Sequence, residues 1–169
     1  ERHTYALMKL DLLEFLDRHD IEKPVLIGHS MGGKAVMNFA VDFPERIDSL
    51  AVIDIGPKSY HSLTEFSSQA IDHMNILNGM QSIDFSKVET REDADAQLAV
   101  YIKSKRIRDF ILKNIKRKRD NTYSWKINVP VLIRELPATL EGLDQKKIGI
   151  TGFPVLFIRG ENSPYIQDE

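Results

Sequence analysis

The chain is 169 residues long, 42% hydrophobic and 28% charged, with a net charge of −2. That is enough for one domain with a real core, and the charge gives no case for nucleic acid or an acidic membrane as partner. Cysteine is absent, which excludes disulfides and thiolate zinc sites, and no segment reaches the roughly 18 apolar residues of a membrane span.

The opening stretch, ERHTYALMKLDLLEFLDRHD, is charged and helix-like rather than a signal peptide. It starts without methionine, and the chain is expected to be a piece of a longer protein. The expected compartment is the cytoplasm, or the mitochondrion in a eukaryote. Between Thr4 and His19, Tyr5, Leu7, Met8, Leu12, Leu13, Phe15 and Leu16 recur at helical spacing and predict an amphipathic helix. After Lys23-Pro24, VLIG is a short branched run that suits a strand buried on both faces. MGGKAVMNFAVDFP predicts a helix that stops before Pro44. IDSLAVIDIGP predicts a second buried strand, ended by Gly56-Pro57. Helix, strand, helix, strand is the order of a parallel α/β sheet.

Residues 59–120 show no good strand. Three helical stretches are predicted there, at Ser62–Leu77, Arg91–Ile102 and Ile107–Arg117. Ile127–Ile133 is ambiguous between an extended segment and a loop ahead of a short helix. GFPVLFIRG then returns to a buried-strand pattern at Phe153–Arg159. Residues 1–57 are therefore assigned to an α/β core, 58–150 to a helical cap insertion, and 151–169 to the return to the core. KSKRIRDFILKNIKRKRD is a basic cluster. It reads as a solvated helix face with Ile107, Phe110, Ile111 and Ile115 turned inward, in preference to a nucleic-acid site, because stacking aromatics are absent.

Chemistry concentrates at Gly28-His29-Ser30-Met31-Gly32. This fits G-x-S-x-G, between a predicted strand and a predicted helix, which is the context of a nucleophile elbow. Gly28 and Gly32 are expected to leave room for the crowded turn, and Gly33 to allow close helix packing. Ser30 is then the nucleophile, and the Met31 backbone N–H faces the developing oxyanion at the helix N-terminus. The bland alternative is a glycine-rich turn whose serine caps the helix.

A serine hydroxyl needs a base, and the base a carboxylate. His29 is expected to pack or hydrogen-bond behind the turn. His3 and His19 fall on the first helix, His61 and His73 in the insertion, and no histidine follows residue 73. For the acid, Asp54 ends the strand after the elbow, where open α/β sheets place functional groups. RGENSPY, after the last strand, offers Glu161 and Ser163. Asp54 is preferred, with Ser163 as a secondary partner. No cofactor and no metal is called for.

GHSMGGKAVM, AVIDIGPKSYH, WKINVPVL and LFIRGENSPY together resemble the small α/β-hydrolase esterases of the bacterial YbfF type. Related to these are the mitochondrial abhydrolase-domain esterases and the yeast ethanol acetyltransferases. The resemblance runs along nearly the whole chain. It implies an α/β-hydrolase fold with a helical cap and action on a small-molecule acyl ester or acyl-CoA. It carries the nucleophile onto Ser30, an oxyanion N–H onto Met31, the acid onto Asp54 and a nearby serine onto Ser163.

The family also has earlier strands with a His-Gly-rich loop, and a later strand with the catalytic histidine. This chain has neither, so three sheet strands are expected, with the elbow strand as a bare edge and the base outside the chain. The polypeptide alone is then expected to be nearly inactive. Two alternatives keep the elbow: an alcohol acyltransferase, and a non-catalytic hydrolase-like protein. Tyr60, His61, Trp125, Val129 and Leu132 are candidates for the acyl pocket. Oligomeric state is not legible.

Overall fold

Residues 2–60, 68–144, 152–163 and 165–166 are described in the computed structural model, without the side chains of 68–71. Two units emerge: Arg2–His61 with Pro137–Glu169, and Ser62–Leu136.

In the first unit, helix α1 (Tyr5–Arg18) precedes strand β1 (Val25–His29) and helix α2 (Met31–Asp42). A single 3₁₀ turn at Pro44–Arg46 leads to β2 (Ser49–Ile53). Helix α2 ends at Phe43, where Pro44 begins the turn. The later apolar run forms a strand at Val155–Ile158 (β5). The three strands make one parallel sheet in the order β1–β2–β5. Register pairs His29 with Ile53 and Ile53 with Ile158, so all three strands end together.

One face of the sheet is well covered. Leu26, Leu50 and Val52 are buried there with Val36, Met37 and Phe39 of α2. Gly33 is what lets α2 sit so close: a Cβ on it would lie 2.5 Å from Ile55 and 3.2 Å from Val52. The sequence predicts β1 and β5 to be buried on both faces, and they are not. Val25 is 59% and Ile27 66% exposed, and all four residues of β5 are exposed. Among the described residues each of these strands pairs on one side only, as expected for the elbow strand, whereas the branched composition signals a fully covered strand rather than an edge.

In the second unit, α3 (Ser68–Gln81), a 3₁₀ turn at Phe85–Lys87, α4 (Arg91–Leu98) and α5 (Lys105–Leu112) follow in order. Thr90 and Asp93 form a capping box that starts α4. Arg108 on α5 is nearly buried. Its guanidinium donates to Asp95 at 2.7 and 3.3 Å and to the carbonyls of Ile102 and Lys103 at 2.9 Å, tying α5 to α4.

The third predicted helix stops early. Residues after Asn114 form an antiparallel hairpin, β3 (Ile115–Arg117) with β4 (Tyr123–Trp125), where no strand is expected from the sequence. The ambiguous stretch is helix α6 (Val129–Leu140), with Pro137 inside it at the unit boundary. The inward set of the basic segment is also only half right. Ile111 and Ile115 are buried, but Ile107 is 41% and Phe110 67% exposed. Trp125 belongs to this unit: its indole N–H donates to the Met80 carbonyl at 3.0 Å, and its ring meets Phe85 edge-on.

Candidate active site

The common end of the three strands is where the predicted site residues gather. The first residue beyond β1 is Ser30, and the first beyond β2 is Asp54. Ser30 adopts φ 53°, ψ −121°, a conformation that costs a non-glycine residue about 1–3 kcal/mol and persists only where its surroundings enforce it. Here its N–H donates to the Ile53 carbonyl at 3.0 Å, and its carbonyl accepts from Lys34 N–H at 3.1 Å. The sheet and the helix thus hold the turn from both sides. Behind it, Gly28 is obligatory: a Cβ there would sit 2.5 Å from the Gly32 carbonyl oxygen and 2.6 Å from Val36. Gly32 differs from the sequence-based expectation, because a Cβ on it meets nothing within 4 Å. The close approach falls on Gly28 and Gly33 instead.

Ser30 stands at the N-cap position of α2, yet its side chain makes no capping hydrogen bond. The hydroxyl is therefore not engaged in capping the helix. Met31 is the first residue of the helix, so its N–H has no carbonyl partner within the helix and carries the positive end of the helix dipole.

Asp54 also has a positive φ, 59°, which aspartate tolerates better than most residues. Its N–H donates to the Ile158 carbonyl at 2.7 Å, linking it to the end of β5. The carboxylate turns toward the loop after β5. There the Gly160 N–H donates to Oδ1 at 3.1 Å, and the Ser163 hydroxyl hydrogen-bonds the carboxylate. Ser163 is itself set by its N–H on the Gly160 carbonyl and by the Tyr165 N–H on its oxygen. These contacts hold the Asp54 carboxyl below its usual value of 3.8. The Ser163 hydroxyl contributes most and the Gly160 N–H next; partial burial opposes them, and the charges of His29 and Arg159 assist. Asp54 is therefore an ionised acceptor tied to a loop more than 100 residues away, rather than a local turn residue.

His29 is exposed, against the expectation that it packs behind the turn. His19 packs against Phe15 of α1 with the rings tilted by 47°, His3 lies before that helix, and His73 lies on α3 in the helical unit. His61 lies outside the described residues. Among the described residues no imidazole hydrogen-bonds Ser30 or Asp54. Glu161 is exposed in the loop that carries Ser163.

Two supports of the site are not anticipated from the sequence. The Tyr60 hydroxyl accepts from Gly56 N–H at 2.9 Å and donates to the Tyr165 carbonyl at 2.8 Å, bracing the Asp54 loop against the Ser163 loop. Burial, the larger cause, and the Asp54 charge raise its pKa, so Tyr60 stays a neutral donor. Lys34, 1% exposed on α2, donates to the carbonyls of Lys58 and Glu141, with its ammonium 5.0 Å from the Tyr60 ring centre. A lone lysine within an otherwise apolar helix, GGKAVMNFA, is the signal that could have marked it.

A family model described as alpha/beta hydrolase fold matches residues 1–168. The chain belongs to the α/β-hydrolase family. Esterase YbfF of Escherichia coli (strain K12) is 34% identical over 166 residues, covering 98% of this chain and 59% of that protein. The sn-1-specific diacylglycerol lipase ABHD11 of Xenopus laevis is 34% identical over 170 residues, covering 98% and 51%. Among solved structures, a marine microorganism esterase superposes with a TM-score of 0.89 at 38% identity, covering 98% of this chain and 62% of that one. The chain thus spans between half and three-fifths of the curated relatives named here. The α/β-hydrolase fold read from the sequence is borne out.

Proposed function

We propose that this chain carries the nucleophile and the acid of a serine hydrolase that cleaves carboxylic esters or acyl thioesters. The observation that carries the reading is Ser30 itself. Its hydroxyl is uncapped, on a strained turn at a helix N-terminus, beside the strand that delivers an ionised Asp54.

In this reading the Ser30 oxygen attacks the acyl carbonyl and its proton passes to an imidazole. The Met31 N–H donates to the oxyanion of the tetrahedral intermediate. The imidazole returns the proton to the leaving alcohol or thiol, and water then attacks the acyl-enzyme by the same route. Asp54 orients the imidazole, and Ser163 and Gly160 keep Asp54 ionised and aimed. The base is assigned to a histidine outside these 169 residues, because in the α/β-hydrolase chain order Ser, acid, His the base follows the last strands, and no histidine follows residue 73. The helical unit is the cap insertion of this hydrolase, the role its place in the chain between β2 and β5 implies.

The test is turnover of p-nitrophenyl acetate by this polypeptide and by one extended at both ends into its flanking coding sequence. The extended chain should turn over the ester and label with a fluorophosphonate at Ser30. The short one should be slower by about 10⁴–10⁶, the cost of losing a triad member. Equal rates would refute an external histidine. An unlabelled Ser30 in the extended chain would refute the hydrolase reading itself. Adding ethanol and analysing products separates hydrolysis from transfer to an alcohol.

A further inference from the structure

Charge is segregated in this chain. Residues 99–126 hold ten of its 23 Lys and Arg but only two of its 25 acidic residues. Of the ten, only Arg108 is buried, in its pair with Asp95. The two acids are already engaged: Asp109 pairs with Lys105, and Asp120 accepts from Thr122 in the hairpin turn. Lys113, Lys116, Arg117, Lys118, Arg119 and Lys126 remain exposed at the end of α5 and along the hairpin.

Large apolar groups are exposed among these cations. Phe110 (67%) and Ile107 (41%) lie one turn apart on the solvent side of α5, flanking the face that buries Arg108, Ile111 and Leu112. The Lys113 ammonium stands 5.9 Å from the centre of the Phe110 ring. Lys126 donates to the Lys113 carbonyl at 2.8 Å, so the base of the hairpin adjoins this aromatic. Tyr101 and Ile107 line a shallow depression of about 210 Å³ on the side toward α3, where Asp72 also faces it. The favourable field therefore lies toward Phe110 and the hairpin.

We propose that the outer side of α5 and the β3–β4 hairpin form a docking face for an anionic lipid bilayer. Phe110 and Ile107 enter the interfacial region, and the surrounding Lys and Arg meet the lipid phosphates. Apolar side chains ringed by cations suit a surface that is anionic outside and apolar beneath. A nucleic acid would use the cations and stack on Phe110, but it would leave the exposed Ile107 unburied, whereas a bilayer interface takes both apolar side chains. Helix α5 is eight residues long, so the contact is peripheral rather than spanning. The small overall charge conceals this face, because the rest of the chain is acidic. The proposal stands independently of any chemistry at Ser30.

Co-sedimentation of the full chain with phosphatidylcholine vesicles, and with phosphatidylcholine/phosphatidylglycerol vesicles, tests it. Each Lys or Arg that reaches an anionic surface strengthens binding about fivefold, so the anionic vesicles should bind at least about tenfold better. Added salt should weaken that binding steeply. The double variant K116E/R117E should lose most of it. Phe110→Ser should lose several-fold while keeping the salt dependence. Equal binding to both vesicles, no binding to either, or anionic binding untouched by K116E/R117E would overturn the proposal. An oligonucleotide bound more tightly than the anionic vesicles, with that binding lost in K116E/R117E, would overturn it in favour of a nucleic-acid face. The comparison of two lipid compositions uses the unmodified chain, so it does not depend on any variant folding.

Discussion

Ser30 and Asp54 leave adjacent parallel strands at matched positions, and both do so with positive φ, 53° and 59°. The Ser30 N–H bonds the residue just before Asp54, and the Asp54 N–H bonds the end of β5. The two side chains are thus positioned by one continuous ladder of backbone hydrogen bonds rather than by separate loops. A pair of side chains set on strand ends has the precision of the sheet.

The first prediction concerns Asp54. Its folded-state pKa is depressed, chiefly by Ser163, so its stabilising contribution is complete above the ordinary carboxylate value and is lost as pH falls through the folded-state value. Ser163→Ala should move the Asp54 titration upward toward 3.8, read by carboxyl ¹³C NMR. An unmoved titration would mean that the Gly160 N–H and the charges suffice. In the extended chain, Asp54→Asn should cost about 10⁴ in turnover by spoiling the orientation of the base.

A second prediction follows from Lys34. Burial lowers its pKa from 10.5 to about 8. Between pH 8 and 10.5 the folded chain has shed this proton while the unfolded chain keeps it. The unfolded state then binds more protons, so stability should rise with pH across that window. Urea midpoints measured through it should climb, and Lys34→Met should flatten the slope. The same variant leaves the carbonyls of Lys58 and Glu141 without their donor, at a cost of about 1–3 kcal/mol near neutral pH. A flat profile in the unmodified chain would show that the two carbonyls hold the charge against desolvation.

The parts of the fold legible in advance were those with an unambiguous local period. Tyr5 to Leu16 repeats as a helix, VLIG and VLFI are short branched runs that each follow a proline, and LAVI is one that runs up to Gly56-Pro57. Ser30 was legible because strand, glycines and helix all agree around it. The hairpin was hidden because Ile107, Phe110, Ile111 and Ile115 continue a helical spacing straight through Asn114. Its cue was the turn: Asn121 takes φ 67° and Asp120 accepts from Thr122, chemistry typical of aspartate and asparagine. The bare edge at β1 is expected from the absence of the family's earlier strands, but the exposure of β5 is not, since composition reports what a strand suits and not which neighbours it has. The Tyr60 brace joins residues about 105 apart, and no local pattern encodes such a contact.

Arg108 provides a third prediction, confined to the helical unit. Its donors satisfy Asp95 on α4 and two carbonyls in the link between α4 and α5, so removing it takes a donor from each of them. Arg108→Met should raise amide hydrogen exchange in α4 and α5 and leave β1, β2 and α2 protected as before. Lys at this position should rescue only partly, because an ammonium lacks the planar fork that reaches both Asp95 oxygens. Uniformly raised exchange in both units would instead make Arg108 part of one global folding unit.

The glycines of the elbow separate packing from chemistry. Gly28→Ala drives a methyl to 2.5 Å from a backbone oxygen, and Gly33→Ala drives one to 2.5 Å from Ile55. Backbone cannot give way as a flexible side chain can, so Gly28→Ala should be the worse of the two. Each should cost at least about 1–3 kcal/mol, the range for overpacking a filled interior. Gly32→Ala meets nothing within 4 Å and sits in the first turn of α2, where alanine is about 1 kcal/mol the better helix former. It should leave the denaturation midpoint unchanged or slightly raised. If Gly32→Ala is stable yet abolishes probe labelling of Ser30 in the extended chain, then this glycine keeps space for the acyl group. Labelling at the level of the unmodified protein would show instead that the elbow needs glycine only at positions 28 and 33.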